Sequence, residues 1–295
     1  TIGDSVTSIG GGAFYGCSSL TDVITPEQWI NIFVDCVSVK TINGKEIISD
    51  GSFKFVGDVL VWVDRKLESV SIPASVKSIA STAFVGCENL KNVNVVDLNL
   101  WLRSGVDMSS SKGWNLYDNG KLVTNVAIPN GVSEIAHGQF KSCSSVGSIT
   151  IPASVKEIGA YAFEGYSNLI SVTISNGVTK IGDKAFYDCD ALTSIIIPNS
   201  VTTIEDGAFQ DCISLISITI PNKVNSIENS TFMGCCNLVN ITIPDCVTSI
   251  KANTFRGCYS LANITIPDNV TKIEMLAFSY CKSLASITIP NNVTK

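Results

Sequence analysis

The chain has 295 residues, 45% of them hydrophobic and 16% charged, with a formal net charge of −6. That balance excludes a disordered, highly solvated chain, and the negative sign argues against the basic face with which a nucleic-acid binder displaces counterions. No apolar run approaches the ~20 residues of a membrane span, so no membrane insertion is expected of this segment.

In chain order, residues 1–23 come first and carry Ala13-Phe14, Cys17 and Leu20 at three-residue spacing. Thr1–Val6 enters in the middle of a unit that recurs later, and Asn292–Lys295 stops at the same phase, which reads as a segment of a longer chain. Residues 24–72 break the pattern. Within them Asp58–Val63 is a short apolar run that reads as a strand, and Trp62–Leu67 reads as a hairpin-like piece. Residues 73–90 restore the unit with Ala83-Phe84, Cys87 and Leu90. Residues 91–128 break it again and end in Tyr117–Leu122, where Asn119-Gly120 signals a two-residue hairpin turn. Phe14 to Phe84 spans 70 residues and Phe84 to Phe140 spans 56, and neither is a multiple of 23. The two interruptions resemble each other, each following a Leu-x-x-Val element and soon reaching a Trp (Trp29 and Trp101).

Residues 129–295 are regular. Phe recurs at 140, 163, 186, 209, 232, 255 and 278, each 23 residues after the last. Cys follows three residues later at 143, 189, 212, 235, 258 and 281, with Tyr166 in the remaining slot, and three further on stands Val146 or Leu. Pro occupies 129, 152, 198, 221, 244, 267 and 290, with Ser175 as the exception. Leu-x-x-Ile-x-Ile alternates with period two and is rich in β-branched residues, so it predicts a strand with one buried face. Pro ends that strand because it cannot donate to the ladder, and Val-x-x-Ile predicts a second short extended piece. Ala-Phe-x-x-Cys-x-x-Leu predicts a single helical turn. One unit cannot bury its apolar face alone, whereas stacking puts Ile on Ile, Phe on Phe and Cys on Cys.

The pattern L-x-x-I-x-I-P-x-x-V-x-x-I-x-x-x-A-F-x-x-C resembles the Treponema pallidum-type, or BspA-like, class of leucine-rich repeats. The resemblance implies an α/β repeat solenoid: a right-handed superhelix of 23-residue units with parallel strands on its concave face and short strands and helical turns elsewhere. It further implies a cell-surface or secreted protein that adheres to host proteins, and it brings no catalytic residues and no cofactor.

Chemistry-bearing constellations are sparse. Seven or eight of the eleven Cys occupy one repeated slot between apolar positions, which marks an interior ladder of free thiols. Parallel neighbours in such a ladder do not converge as a disulfide requires. Cys36, Cys236 and Cys246 fall outside the ladder. No Cys-x-x-Cys pair occurs and His137 is the only histidine, so neither a zinc site nor a nucleophile–base pair is expected. Glu134, Glu157, Glu205, Glu228 and Glu274 alternate with Lys180, Lys251 and Lys272 on a solvated face. Five Asn-x-Ser/Thr sequons occur, at Asn229, Asn240, Asn263, Asn269 and Asn292, and the recurring Ile-Thr and Val-Thr pairs generate four of them automatically.

Recognition residues are sought in two places. Trp29, Trp62, Trp101 and Trp114 all lie in the interrupted stretches. Trp is enriched at binding hot spots, although it also fills gaps where regular ladders lapse. Outward strand positions form two polar rows: Ser148, Ser171, Ser194, Ser217, Asn240, Asn263 and Ser286, then Thr150, Thr173, Ile196, Thr219, Thr242, Thr265 and Thr288. These rows make a recognition surface for a protein ligand, as solenoids use, or merely a sheet face compatible with water. The first reading is a binding module, and the alternative is a structural spacer.

Overall fold

The computed structural model describes residues 1–6, 9, 13, 14, 17, 19–25, 33 and 39–294. These fall into two compact units, one of residues 1–112 and 117–121, the other of residues 113–116 and 122–295.

The second unit is a stack of 23-residue coils. Its principal sheet holds Asn125–Ala127, Ser148–Ile151, Ser171–Ile174, Ser194–Ile196, Ser217–Thr219 and Asn240–Thr242, all parallel. Each residue pairs with the one a full repeat away, as in Ser148 with Ser171 and Ile149 with Val172. A one-residue slip would turn the buried Ile149 and Ile151 outward, so the alternating pattern fixes the register. The predicted second extended piece is also present: Glu134–Ile135, Glu157–Ile158, Lys180–Ile181 and Thr203–Ile204 pair in parallel, and Ser226–Ile227, Ser249–Ile250 and Lys272–Ile273 do likewise. Between the two, each Pro carbonyl accepts from the amide three residues on, as Pro198 does from Val201 at 3.0 Å.

The Ala-Phe-x-x-Cys-x-x-Leu segment is not helical, which corrects the sequence expectation. The recurring bonds run over three residues, as from the Cys212 amide to Phe209 O at 3.3 Å and from the Leu215 amide to Cys212 O at 3.1 Å. Three residues per turn align Phe, Cys and Leu on one side as well as a helix would. The remaining amides serve the neighbouring coil. Phe209 donates to Thr231 O at 3.0 Å, and the residues two before and two after it, Gly207 and Asp211, donate to Asn229 O and Met233 O. Those two flanking slots are left-handed in coil after coil, with φ of 50° at Lys184, 60° at Gly207 and 55° at Ser230 in the first, and 59° at Asp188, 57° at Asp211 and 74° at Gly234 in the second. Asp188→Gly is therefore expected to raise stability by roughly 1 kcal/mol, since glycine adopts that conformation without a Cβ penalty. Urea denaturation of the two proteins measures it, and a loss of stability would contradict the account.

Phe140 through Phe278 stack along the unit, with Phe186 and Phe209 rings 5.4 Å apart and 2° from parallel. The thiols form a second column. Cys189, Cys212, Cys235, Cys258 and Cys281 each donate Sγ–H to the carbonyl of the Phe in the preceding coil, at 3.1–3.2 Å. The ladder cysteines from Cys87 to Cys258 are free and buried. Tyr166 takes the slot in its coil and is also buried.

The first unit shows why the phase slips. Its six-stranded sheet begins with Asp22–Val23 parallel to Thr41–Ile42 and ends with Val59–Val63 parallel to Ser78–Ile79. Spliced between them is an antiparallel meander, Thr41–Ile42 to Lys45–Ser49 to Phe53–Val56 to Val59–Val63. The expected strand at residues 58–63 is present, but Trp62–Leu67 is not a hairpin. Trp62 lies inside the last meander strand, and Asp64–Leu67 is a tight turn closed by Leu67 N–H to Asp64 O at 3.2 Å. The other interruption contributes the helix Leu98–Ser104, capped by the Asp97 carboxylate on the amides of Asn99 and Leu100 and ended by left-handed Gly105. Asn119 and Gly120 both have positive φ, 49° and 77°, as a type I′ turn requires.

Candidate functional site

The outward rows exist as read. Ser171, Thr173, Ser194, Ser217, Thr219, Asn240, Thr242, Asn263 and Thr265 are exposed, as is Thr150, and Ser148 is half-buried, its hydroxyl donating to Asn125 Oδ1. The parallel register brings them together, with Ser194 beside Ser217 and Thr219 beside Thr242. Asn240 and Asn263 meet in an isolated bridge where regular pairing gives out. A cavity of about 340 Å³ opens there, lined by Asn240, Thr242, Asn263 and Thr265 with Ile243 and Pro267 among its walls.

Exposed apolar side chains lie in and just ahead of these rows. Ile196 stands in the threonine row at 79% exposure, and Ile170 and Ile216, just ahead of the serine row, are 61% and 52% exposed. Val239 follows in that column. Strand alternation places Ile196 in the threonine row, whereas Ile170, Ile216 and Val239 lie one residue outside the alternating pattern.

The tryptophans separate. Trp101 and Trp114 are buried, so their reading as contact residues is corrected: no ligand reaches either ring. Trp101 packs edge-on against Phe84 at 5.3 Å. Trp114 donates Nε1–H to Lys141 O at 2.9 Å, and its backbone pairs with Ser142 and Ser144, so it takes the place of a neighbouring coil's turn. Trp62 is half-buried against the cluster of Val23, Ile42, Val56 and Val61, with Lys54 Nζ 4.9 Å from its ring centre. Trp29 and Cys36 lie outside the described residues.

Elsewhere several charged and titratable side chains lie in ion pairs, ring contacts or the interior. Lys180 Nζ bridges Glu157 at 2.8 Å and Glu205 at 3.0 Å, and these two carboxylates hold its ammonium above the usual lysine range. His137 is exposed and lies against Tyr161, ring centres 5.4 Å apart. Burial pushes the Cys87 and Cys281 thiols up to about 11, which makes poor nucleophiles of them. Among the described residues no group of His, Cys, Asp or Glu could hold a metal ion, and no helix is long and apolar enough to cross a membrane.

A family model described as BspA type leucine rich repeat region matches in six copies, over residues 1–98, 113–238 and 179–295. A solved leucine-rich repeat protein from Eubacterium ventriosum is 28% identical, with TM-score 0.55 over 77% of this chain and 56% of its own. One from Bacteroides ovatus is 26% identical, with TM-score 0.55 over 85% of this chain and 58% of its own. A leucine rich cell surface protein from Faecalibacterium prausnitzii is 26% identical over 90% of this chain and 86% of its own, at TM-score 0.39. The chain thus spans a little over half the length of the first two. Among curated proteins none matches significantly.

Proposed function

Because the chain belongs to the BspA-type leucine-rich repeat family, whose solenoids are typical non-enzymatic interaction scaffolds, we propose that it is a protein-binding module of a cell-surface or secreted protein. Its ligand is a host or matrix protein, engaged by the principal sheet of the second unit as the concave side of a right-handed superhelix. The observation that carries this reading is Ile196, 79% exposed in the middle of the threonine row, with Ile170 and Ile216 also exposed at the start of the neighbouring strands. Threonine fills the Ile196 slot in neighbouring strands and is an equally good strand former, so folding does not ask for isoleucine there. Exposed apolar patches rimmed by polar groups mark interaction sites.

The test compares the protein with an Ile196→Thr, Ile216→Thr variant against a panel of purified extracellular-matrix proteins by surface plasmon resonance. Saturable binding to at least one of them, weakened at least tenfold in the variant with thermal unfolding unchanged, is the expected result. Equal binding by both would remove this face from consideration. The spacer reading draws on a different observation, the complete burial of Trp101 and Trp114, and it gains if no matrix protein binds.

A further inference from the structure

A second surface of the same unit carries a pattern that the repeat does not impose. The residue that follows the Cys slot is Ser144 and Ser167 in two coils, then Asp190, Ile213, Cys236, Tyr259 and Lys282 in the next five. Backbone bonds stack these positions coil upon coil: Ser260 donates its amide to Cys236 O and Ser283 to Tyr259 O, both at 3.0 Å. The result is a column with an acid at one end, a base at the other and three uncharged residues between. Ile213 and Tyr259 are each 43% exposed and Cys236 is half-buried, although the coils of all three are stacked on both sides. Val239, three residues after Cys236 and also exposed, widens the apolar centre.

Folding does not ask for these residues. Serine serves the same position at 144 and 167, and an isoleucine or tyrosine left facing water gains no burial. The Lys282 ammonium lies 4.3 Å from the Tyr259 ring centre, which holds it over the column. Among the described residues neither Asp190 nor Lys282 has an ion-pair partner.

The order of the column is its own complement. Reversed, it sets Lys282 against Asp190, Tyr259 against Ile213 and Cys236 against Cys236. A two-fold axis through Cys236 produces that pairing, because in such an interface residue i of one copy meets j of the other and j meets i. Asp190 and Lys282 each stand two coils from Cys236, roughly 10 Å away at the ~4.8 Å spacing of strands, so both ion pairs form together. A parallel pairing would instead oppose like charges at both ends.

We propose that this column is the interface of a symmetric, antiparallel dimer of the chain. The partner is a second copy, and the contact spans few coils, so the dimer forms in the micromolar range. The surface is separate from the threonine row, and the proposal does not rest on binding there.

Sedimentation velocity of the 295-residue chain across micromolar concentrations tests it. A reversible monomer–dimer equilibrium is expected, weakening as salt screens the ion pairs. Asp190→Lys and Lys282→Asp each turn both pairs into repulsions and should weaken the dimer about tenfold. The double variant exchanges the charges and should regain the dimer, with the melting temperature unchanged in all three proteins because the sites are on the surface. A bismaleimide should link the two Cys236 sulfurs, each thiol adding across one maleimide double bond, and Cys236→Ser should lose the link. A chain that stays monomeric, or one that grows past the dimer into rods, overturns the proposal. So does a dimer that ignores both single charge variants, a double variant as weak as the single ones, or a dimer without the Cys236 link.

Discussion

Phe209→Ala is expected to lower the stability of the second unit by about 3–5 kcal/mol, the range for emptying a buried aromatic site. Phe209 is fully buried and stacks on Phe186 at 5.4 Å and on Phe232 at 5.8 Å, within 5° of parallel in both cases. Its carbonyl also accepts the Cys235 thiol, and its amide reaches Thr231 of the next coil. In a stack where each coil touches only its neighbours, stability is a sum of coil and interface terms, so a void in the middle weakens two interfaces at once. The coils on either side should then unfold separately, and the urea transition followed by circular dichroism should broaden or split. Phe278→Ala should cost less, because that ring is half-buried and stacks on Phe255 alone among the described rings. Equal losses for the two variants would mean that the column does not couple the coils.

The period was legible because the side chains that face the interior recur with it: Ile149, Phe163, Cys189 and Leu192 announce their slots by type. The left-handed slots were not, because any residue occupies them. Lys184, Ser230, Asn253 and Leu276 share one, and their common property is a backbone angle that composition does not encode. The same limit explains the helix that does not form, since a three-residue spacing of apolar side chains suits successive tight turns as well as an α-turn. In the first unit the strand at Val59–Val63 could be read from its apolar run, whereas its meander partners could not. Lys45–Ser49 is almost wholly exposed, and only Asn43-Gly44, with φ of 53° and 72°, signalled the hairpin that precedes it. The candidate sites divide similarly. Strand alternation placed Thr150 through Thr265 on one face, while the exposed Ile170 and Ile216 lie one residue outside that alternation and could not be placed by it.

Alkaline pH should unfold this protein more steeply than most, and the thiol column is the reason. Burial raises Cys143, Cys189, Cys235 and Cys258 above the ordinary thiol value of 9.0. The sulfur-to-carbonyl hydrogen bonds of Cys189, Cys235 and Cys258 act in the same direction, because only the neutral thiol can donate to Phe163, Phe209 and Phe232. Below pH 9 these groups are protonated in both states and stability is insensitive to them. Above it the unfolded chain releases protons that the folded chain retains, so the unfolded state binds fewer protons and stability falls with rising pH. Each such thiol removes about 1.4 kcal/mol per pH unit, and four together remove about 5.6 kcal/mol per unit. The loss continues until the folded thiols ionise, which for Cys87 and Cys281 is at about 11. Lys180, raised by Glu157 and Glu205, and Tyr166, raised by burial, add smaller losses of the same sign at higher pH. A variant with Cys143, Cys189, Cys235 and Cys258 replaced by Ala keeps those lysine and tyrosine contributions and lacks the four thiols. Its urea midpoint should start lower at pH 8, since methyl-sized gaps replace the sulfurs, yet change far less as the pH is raised past 9. Parallel pH profiles for the two proteins would show that the thiols ionise inside the folded stack as readily as outside it, and the column would then be a packing device with no bearing on alkaline stability.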